Sequence, residues 1–185
     1  MRIVAGLAKG RRLAAPTGDA TRPTSDRARE ALFSSLASLL DLAGARVLDL
    51  FAGTGAVGLE ALSRGAAAAV LVESDRAAAE VLRRNADAVG LPGATVVRRT
   101  AAAYLADVPD EPFDLVFADP PYDLDDGALA ELLAALGSRG WLAGDAIVVV
   151  ERSARGAAPV WPEAFVTPVR EKRYGAGVLW YGRRQ

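Results

Sequence analysis

The feature that most constrains this chain is a regular alternation of short apolar runs with longer amphipathic stretches. Five runs have the length and composition of buried strands, at 46–50, 69–73, 95–98, 113–118 and 145–151. Stretches with helical spacing lie between them, at 55–64, 75–89, 101–106 and 124–137. Because repeated strand–helix units build parallel sheets, the pattern predicts an α/β protein with a Rossmann-like, mostly parallel sheet flanked by helices.

The two ends of the chain depart from this alternation. Residues 165–172 and 178–183 flank the turn at Tyr174-Gly175 and predict an antiparallel hairpin at the edge of the sheet, which then has seven strands. At the other end, 2–5 and 11–14 predict a small hairpin, and 25–40 predict a helix capped by Thr24 or Ser25. We therefore divide the chain into a dependent N-terminal hairpin-helix extension, 1–40, and one domain, 41–185.

A glycine-rich turn follows the first predicted strand of the domain. Gly53, Gly55 and Gly58 fit the pattern G-x-G-x-x-G, and Glu73 ends the next strand twenty residues after the first glycine. Glycines permit a tight turn and close backbone approach to a ligand, and a carboxylate at that strand end can accept hydrogen bonds from ribose hydroxyls. The combination predicts a nucleotide site.

Asp49 bears on which nucleotide binds there. It lies four residues before Gly53, inside the mouth of the turn. A buried carboxylate there would repel a pyrophosphate but would suit the ammonium group of a methionine moiety. This favours S-adenosylmethionine (SAM) over NAD.

A second motif, Asp119-Pro120-Pro121-Tyr122, follows the predicted strand 113–118 and so lies at the carboxyl edge of the sheet. An exocyclic amine of a base is a poor nucleophile, and its methylation needs acceptors for its hydrogens. Asp119 and the Pro120 carbonyl can supply them, the prolines stiffen the loop, and Tyr122 can stack on a flipped-out base. The chain has no Cys and no His, which excludes thiol nucleophiles, His-based triads and Cys/His zinc sites, and we expect no metal.

The net charge of −1 hides two basic ends. Residues 1–30 carry seven Arg or Lys against three acids, and 152–185 carry seven against two. Basic ends on an acidic centre suggest contact with a polyanion, although Asp26, Arg29 and Glu30 could instead pair within a helix. The candidate RNA contacts are Arg11, Arg12, Arg22, Arg27, Arg29 and Arg173.

The glycine motif and Glu73 resemble the class I SAM-dependent methyltransferases, and D-P-P-Y resembles their amine-methylating motif. The segments 2–6, 10–13, 21–30 and 51–55, with the Tyr174-Gly175 turn, resemble the bacterial RsmD-type 16S rRNA guanine-N2 methyltransferases. The resemblance implies SAM as donor, S-adenosylhomocysteine as product, and a guanine of 16S rRNA in the assembled small subunit as acceptor. It implies these cofactor contacts: Asp49, Phe51, Gly53, Thr54, Gly55, Gly58, Glu73, Ser74, Thr100, Ala101 and Asp119.

Three alternatives stay open at this point. One is an adenine-N6 or other exocyclic-amine methyltransferase, another is a non-catalytic RNA-binding assembly factor, and a third is an NAD oxidoreductase. No apolar run approaches the ~20 residues needed to span a bilayer, and arginines interrupt the N-terminus where a signal peptide would be apolar. We therefore expect a cytoplasmic monomer without membrane contact.

Overall fold

A computed structural model describes residues 1–15 and 26–185 of the chain. It has five α-helices and seven β-strands within these ranges. The elements in chain order are α1 (Asp26–Leu36), β1 (Arg46–Leu50), α2 (Ala56–Ser63), β2 (Ala68–Val72), α3 (Arg76–Val89), β3 (Ala94–Val97), α4 (Ala101–Leu105), β4 (Phe113–Ala118), α5 (Asp126–Ser138), β5 (Leu142–Ser153), β6 (Val166–Tyr174) and β7 (Gly177–Arg184).

The seven strands form one sheet in the order β3-β2-β1-β4-β5-β7-β6. Strands β1 to β5 are mutually parallel, as predicted, and β7 runs antiparallel to both of its neighbours. The fold class is confirmed. The C-terminal antiparallel hairpin lies at the edge of the sheet as predicted, with β6 as the edge strand and β7 between β5 and β6.

Both faces of the sheet are covered by apolar side chains. Along β1, Val47 belongs to one buried cluster, together with residues of α2 and α3, whereas Leu48 and Leu50 belong to the other. The first cluster also contains Ile3, Leu32 and Phe33 from the N-terminal segment and α1. The second is closed by α4 and α5. Alternation of this kind follows from the two-residue period of a strand whose two faces are both buried.

The N-terminal segment, residues 1–15, forms the predicted small hairpin over residues 1–3 and 11–13. Arg2 and Arg12 make an antiparallel bridge, Ile3 N donates to the Arg11 carbonyl at 2.9 Å, and Leu13 N donates to the Met1 carbonyl at 3.0 Å. The backbone N–H groups of Val4 and Ala5 donate instead to the two carboxylate oxygens of Glu60 on α2, at 2.7 and 2.9 Å. The segment is therefore attached to α2 by side-chain acceptors and not by a long strand ladder.

Two further contacts fix this segment. Ser63 Oγ accepts from Ala8 N at 2.9 Å and donates to the Ala5 carbonyl at 2.6 Å. The Asn85 amide of α3 pairs with both backbone groups of Ala14, at 2.8 and 3.0 Å, and also donates to the Thr54 carbonyl at 2.9 Å. Asn85 thus joins the N-terminal segment to the glycine-rich turn. The domain boundary at residue 40 stays a prediction.

Helix α1 is shorter than predicted and ends at Leu36. Beyond it Leu39 N bonds to the Leu36 carbonyl at 2.7 Å, and Ser38 Oγ donates to the Ser35 carbonyl at 2.9 Å. These local bonds replace the next helical turn. The predicted caps Thr24 and Ser25 lie outside the described residues.

Strand β5 starts three residues earlier than predicted, at Leu142. Phe113 pairs with Leu142 and the register then shifts before Leu115 pairs with Ile147. Asp145 lies in this irregularity with φ of 62°, a left-handed conformation. Gly144-Asp145 therefore bulges the strand and does not begin it.

Candidate active site

The register of the sheet brings the predicted site residues into one row. Leu50 is paired with Val72 on one side and with Ala118 on the other, and Ala118 is paired with Val150. The residues that follow these four lie at the carboxyl ends of four adjacent parallel strands. They are Phe51, Glu73, Asp119 and Glu151. Ligands bind at this edge in open α/β sheets.

The glycine-rich turn is built around Asp49. The Asp49 carboxylate is buried and accepts from Gly58 N at 3.0 Å. A Cβ on Gly58 would lie 2.2 Å from Leu71 Cδ2, so a larger residue would force the helix start away from the sheet. Gly55 has φ of 79° and a Cβ there would lie 2.2 Å from Leu82 Cδ1. Both glycines thus have a steric reason to be glycine.

Glu73 holds the same turn from the next strand. Its Oε2 accepts from Gly53 N at 2.9 Å, and its Oε1 accepts from Asp75 N at 2.8 Å. The side chain therefore points along the row toward the turn and is half-buried. Each carboxylate oxygen has further acceptor capacity for a ligand hydroxyl.

Beside Glu73 lies a largely apolar cavity of about 430 Å³, whose lining includes Phe51, Ser74, Thr100, Ala101 and Pro121. Phe51 has φ of 67°, which is rare for a bulky residue and is a form of backbone strain found at ligand sites. Thr100 caps α4, its side chain accepting from Ala103 N at 3.1 Å. The Thr100 hydroxyl therefore already has one hydrogen-bonding partner, whereas Ala101 contributes only apolar surface to the cavity.

A second cavity, of about 700 Å³, lies on the other side of the D-P-P-Y loop. Asp119, Tyr122 and Glu151 line it from the carboxyl edge of the sheet. Tyr122 is 71% exposed, so its ring is available to a ligand. Since Pro121 lines the first cavity, the loop separates a largely apolar space from one lined by both acidic and basic side chains.

The acidic side chains of the site raise one another's pKa values. Burial raises the pKa of Asp49 to about 7, opposed by the hydrogen bond from Gly58. The pKa of Asp119 is also raised, first by burial and then by the neighbouring charges of Glu151 and Asp49. A cation placed between these carboxylates would lower both pKa values, so the site is suited to a positively charged ligand.

The predicted RNA contacts divide into three groups. Arg27 and Arg173 are exposed and line the second cavity, and Arg11 and Arg12 are exposed on the N-terminal segment. Arg22 lies outside the described residues. The prediction that Arg29 contacts RNA is wrong, because its side chain is fully buried. It donates to the Arg2 carbonyl at 2.5 Å and pairs with Asp26 at 2.8 Å. In this position it braces the start of α1 and does not reach a phosphate.

Sequence reasoning missed two basic residues at the site. Lys172 on β6 lines the second cavity. Leu179 on β7 is paired with Lys172 on one side and with Glu151 of β5 on the other. Arg152 donates to the Leu124 carbonyl at 3.3 Å and pairs with Asp126 at 2.7 Å, so it holds the end of the D-P-P-Y loop. Neither position has a local sequence signal, since Lys172 depends on how β7 and β6 pair and Arg152 on how β5 packs beside the start of α5.

Within residues 1–15 and 26–185 there is no cluster of potential metal ligands. The described helices are likewise too short or too polar to cross a membrane.

Comparison with known proteins identifies the family. The family model described as Conserved hypothetical protein 95 matches residues 1–183. The chain is similar to the ribosomal RNA small subunit methyltransferase D of Escherichia coli K12, with 42% identity over 162 residues, covering 88% of this chain and 79% of that protein. The chain belongs to this family, the RsmD-type methyltransferases.

Two further relatives cover the full length of this RsmD-type chain. The putative rRNA methyltransferase YlbH of Bacillus subtilis is 35% identical over 188 residues and is covered completely. Among solved structures, a putative methyltransferase, yhhF, from Escherichia coli superposes with a TM-score of 0.86 at 40% identity, covering all of this chain and 98% of that one. The chain is therefore a SAM-dependent methyltransferase, and the prediction from its motifs is confirmed.

The residues of this RsmD-type methyltransferase fit SAM. The buried carboxylates Asp49 and Asp119 suit a cationic ligand, Glu73 has acceptor capacity for ribose hydroxyls, and the largely apolar cavity suits an adenine ring. The excess of carboxylates speaks against a pyrophosphate-containing nucleotide.

We predict that Glu73→Ala weakens SAM binding by about 1 to 3 kcal/mol, the range for losing charge-assisted hydrogen bonds. Isothermal titration calorimetry measures the change. Glu80→Ala, on the exposed side of α3, is the matched control and should leave the affinity as it is. An unchanged SAM affinity in folded Glu73→Ala would remove Glu73 from the cofactor site.

Proposed function

We propose that this methyltransferase transfers the methyl group of SAM to the exocyclic N2 of a guanine in small-subunit (16S) ribosomal RNA. The observation that carries the proposal is the division of the cleft by the D-P-P-Y loop. A largely apolar cavity lies on one side, and Asp119, Glu151 and the exposed Tyr122 line the cavity on the other. The names of the relatives, which include ribosomal RNA small subunit methyltransferase D, support the choice of acceptor.

In this proposal Asp49 faces the ammonium group of the methionine moiety and Glu73 accepts from the ribose hydroxyls. Phe51, Ser74, Thr100 and Ala101 enclose the adenine. When bound, the cofactor supplies a methyl group already activated by a sulfonium, so no further activation of the leaving group is required. What remains for the protein is to hold and orient the amine.

Asp119 and the Pro120 carbonyl are the acceptors for the two amine hydrogens. An amine whose hydrogens are both held has its lone pair directed away from the acceptors, toward the cofactor side of the loop. As the new N–C bond forms and the S–C bond breaks, the amine loses a proton, and the Asp119 carboxylate is the acceptor for it. The raised pKa of Asp119, caused by burial and by Glu151 and Asp49, makes it a better base than a surface aspartate.

Tyr122 is the stacking platform for the base in this proposal. We predict that Tyr122→Ala lowers kcat/KM by about 10- to 100-fold, equivalent to the ~1 to 3 kcal/mol that base–aromatic stacking contributes. Tyr122→Phe keeps the ring and should stay close to wild type. Steady-state methylation of small subunits distinguishes the two variants, and an equal loss in both would assign the effect to the hydroxyl.

Arg27, Lys172 and Arg173, the basic side chains that line the second cavity, are proposed to bind phosphates. We predict that the double change Arg27→Gln and Arg173→Gln weakens subunit binding and reduces the slope of log affinity against log salt by about 0.7 to 0.9 per lost contact. SAM affinity should hardly change. Arg83→Gln, an exposed arginine on α3 that lines neither cavity, is the control, and a salt slope equal in both variants would argue against phosphate contact.

The remaining parts of the proposal concern context. We propose that the acceptor is the assembled small subunit, that the protein acts as a monomer, and that it works in the cytoplasm, where ribosomal subunits are made. The name of the relative in Escherichia coli, ribosomal RNA small subunit methyltransferase D, supports the small subunit as acceptor.

The direct test is to supply tritiated SAM to small subunits that lack the modification and to identify the labelled nucleoside. Label in N2-methylguanosine at one position of 16S rRNA supports the proposal. Label in N6-methyladenosine would point to the adenine-specific alternative. Retention of RNA without label would identify a non-catalytic binding factor and would overturn the proposal.

A further inference from the structure

Glu151 lies beside Asp119 at the carboxyl edge of the sheet. Val150 is in register with Ala118, so the two acids that follow occupy neighbouring positions on β5 and on the end of β4. Parallel strands in register are about 4.8 Å apart and direct paired side chains to the same face. Both carboxylates also line the same 700 Å³ cavity.

The Glu151 carboxylate has unused hydrogen-bonding capacity. Among residues 1–15 and 26–185, neither a side-chain hydrogen bond nor an ion pair to Glu151 is present, although the residue is more than half removed from solvent. Burial raises its pKa, and its charge contributes to the raised pKa of Asp119. A half-buried acceptor of this kind is costly unless a ligand supplies the donor.

Gly177 keeps the space in front of Glu151 open. A Cβ at this position would lie 3.1 Å from Glu151 Oε1, and Gly177 lines the same cavity. A larger residue would press on the carboxylate and narrow the cavity beside it. The cavity therefore offers two adjacent acceptors, Asp119 and Glu151, and the exposed Tyr122 lines it as well.

The Watson–Crick edge of guanine carries two neighbouring donors, N1–H and the N2 amine, whereas adenine and cytosine place an acceptor next to their amines. Enzymes that act on a flipped base read it through this edge. We propose that Glu151 selects guanine by accepting its N1–H while Asp119 accepts the N2 amine. This inference rests on the proposed function and assigns a specificity role to a residue that takes no part in the transfer itself.

Glu151 facing adenine would meet the lone pair of N1, so two acceptors would oppose each other. A site built to hydrogen-bond a donor rejects analogues that lack it far more strongly than an apolar pocket rejects a change in size. Glu151 therefore distinguishes the bases by whether the ring nitrogen N1 carries a hydrogen. A base analogue can remove that hydrogen while keeping the amine.

The test uses small subunits reconstituted with 16S rRNA that carries either guanine or 2-aminopurine at the methylated position. 2-Aminopurine retains the 2-amino group, but its N1 is an acceptor. The wild-type enzyme should prefer guanine by at least about 100-fold in kcat/KM. In Glu151→Gln the new amide can donate to N1 of 2-aminopurine, so the preference should fall by at least about 10-fold, mainly through KM.

Each enzyme is measured on the same two substrates. Comparing the guanine preference of the variant with that of the wild type therefore removes the intrinsic difference in reactivity between the two amines. Glu151→Asp retains a carboxylate and should keep the guanine preference while losing rate. Glu163→Gln, an exposed glutamate outside the cleft, should behave as wild type. Calorimetric titration with SAM, in the absence of RNA, verifies that each variant binds its cofactor and is folded.

The outcomes separate the inference from the function on which it rests. If Glu151→Gln loses activity equally on both substrates and keeps the wild-type ratio, the specificity role is wrong. If Glu151→Asp also loses the preference, a purely structural role for Glu151 is favoured and the inference is again overturned. If the wild-type enzyme leaves the guanine subunits unmethylated, the proposed function itself fails.

Discussion

Asp119→Ala should lower the rate of methyl transfer by about 10²- to 10⁴-fold, the range for removing a positioned proton acceptor. The variant removes an interaction that the amine gains as it becomes a nucleophile, so the loss should appear in kcat more than in KM. Asp119 also belongs to the buried acidic group around Asp49, but its removal relieves repulsion there, and the SAM affinity should change by only a few-fold.

Single-turnover transfer from tritiated SAM, with calorimetry for the cofactor, measures both quantities in the same preparation. Asp123→Ala is the matched control, since Asp123 is an exposed acid two residues beyond the motif prolines in the same loop. It should retain most of the activity. Comparable rates for Asp119→Ala and wild type would eliminate the mechanism, whereas loss of SAM binding would reassign Asp119 to the cofactor.

Glu60→Ala should destabilise the fold by about 3 kcal/mol, because it removes the buried acceptor of two backbone N–H groups and the partner of Arg64. The Glu60 side chain is fully buried, and the pair distance to Arg64 Nε is 2.8 Å. For a domain of this size the loss corresponds to a fall in melting temperature of about 6 to 12 °C. Val4 and Ala5 would then lose their attachment to α2.

Differential scanning calorimetry and limited proteolysis together locate this effect. Cleavage within residues 1–15 should become faster in Glu60→Ala, and Glu60→Gln should be intermediate because its amide oxygen still accepts. Glu80→Ala, which alters only an exposed pair with Arg76, should be close to neutral. A melting temperature unchanged in Glu60→Ala would mean that the N-terminal segment is held mainly by its apolar contacts.

The central strands could be predicted from sequence to the residue, and the reason is their burial on both faces. The bounds of β1 and β4 agree with the predicted runs because Val47–Leu50 and Leu115–Ala118 are continuously buried. Strand β5 was predicted too short because Gly144-Asp145 is typical of a turn, yet the backbone accommodates it as a bulge beside Phe113. Local propensity was outweighed there by pairing with a neighbour distant in sequence.

The same distinction holds for the candidate site. Glu73 and Asp119 follow strands whose pattern is readable, so their places at one edge could be predicted. Glu151 follows the parallel pairing of β4 with β5, whereas Lys172 reaches the second cavity through the pairing of β5 with β7 and of β7 with β6, which sequence does not specify. Arg29 was misassigned because a helix start rich in arginine does not reveal which guanidinium turns inward to the Arg2 carbonyl.

The amide of Asn85 has a consequence for how the two substrates are bound. It is shared between Ala14 in the N-terminal segment and the Thr54 carbonyl in the glycine-rich turn. A displacement of the segment therefore changes the hydrogen bonding of the turn. If the ribosome moves this segment on docking, the affinity for SAM changes by some factor, and SAM then alters the affinity for the ribosome by the same factor, because such coupling is reciprocal. Through Asn85, binding of SAM and docking of the segment would each change the affinity for the other by the same free energy, whichever binds first.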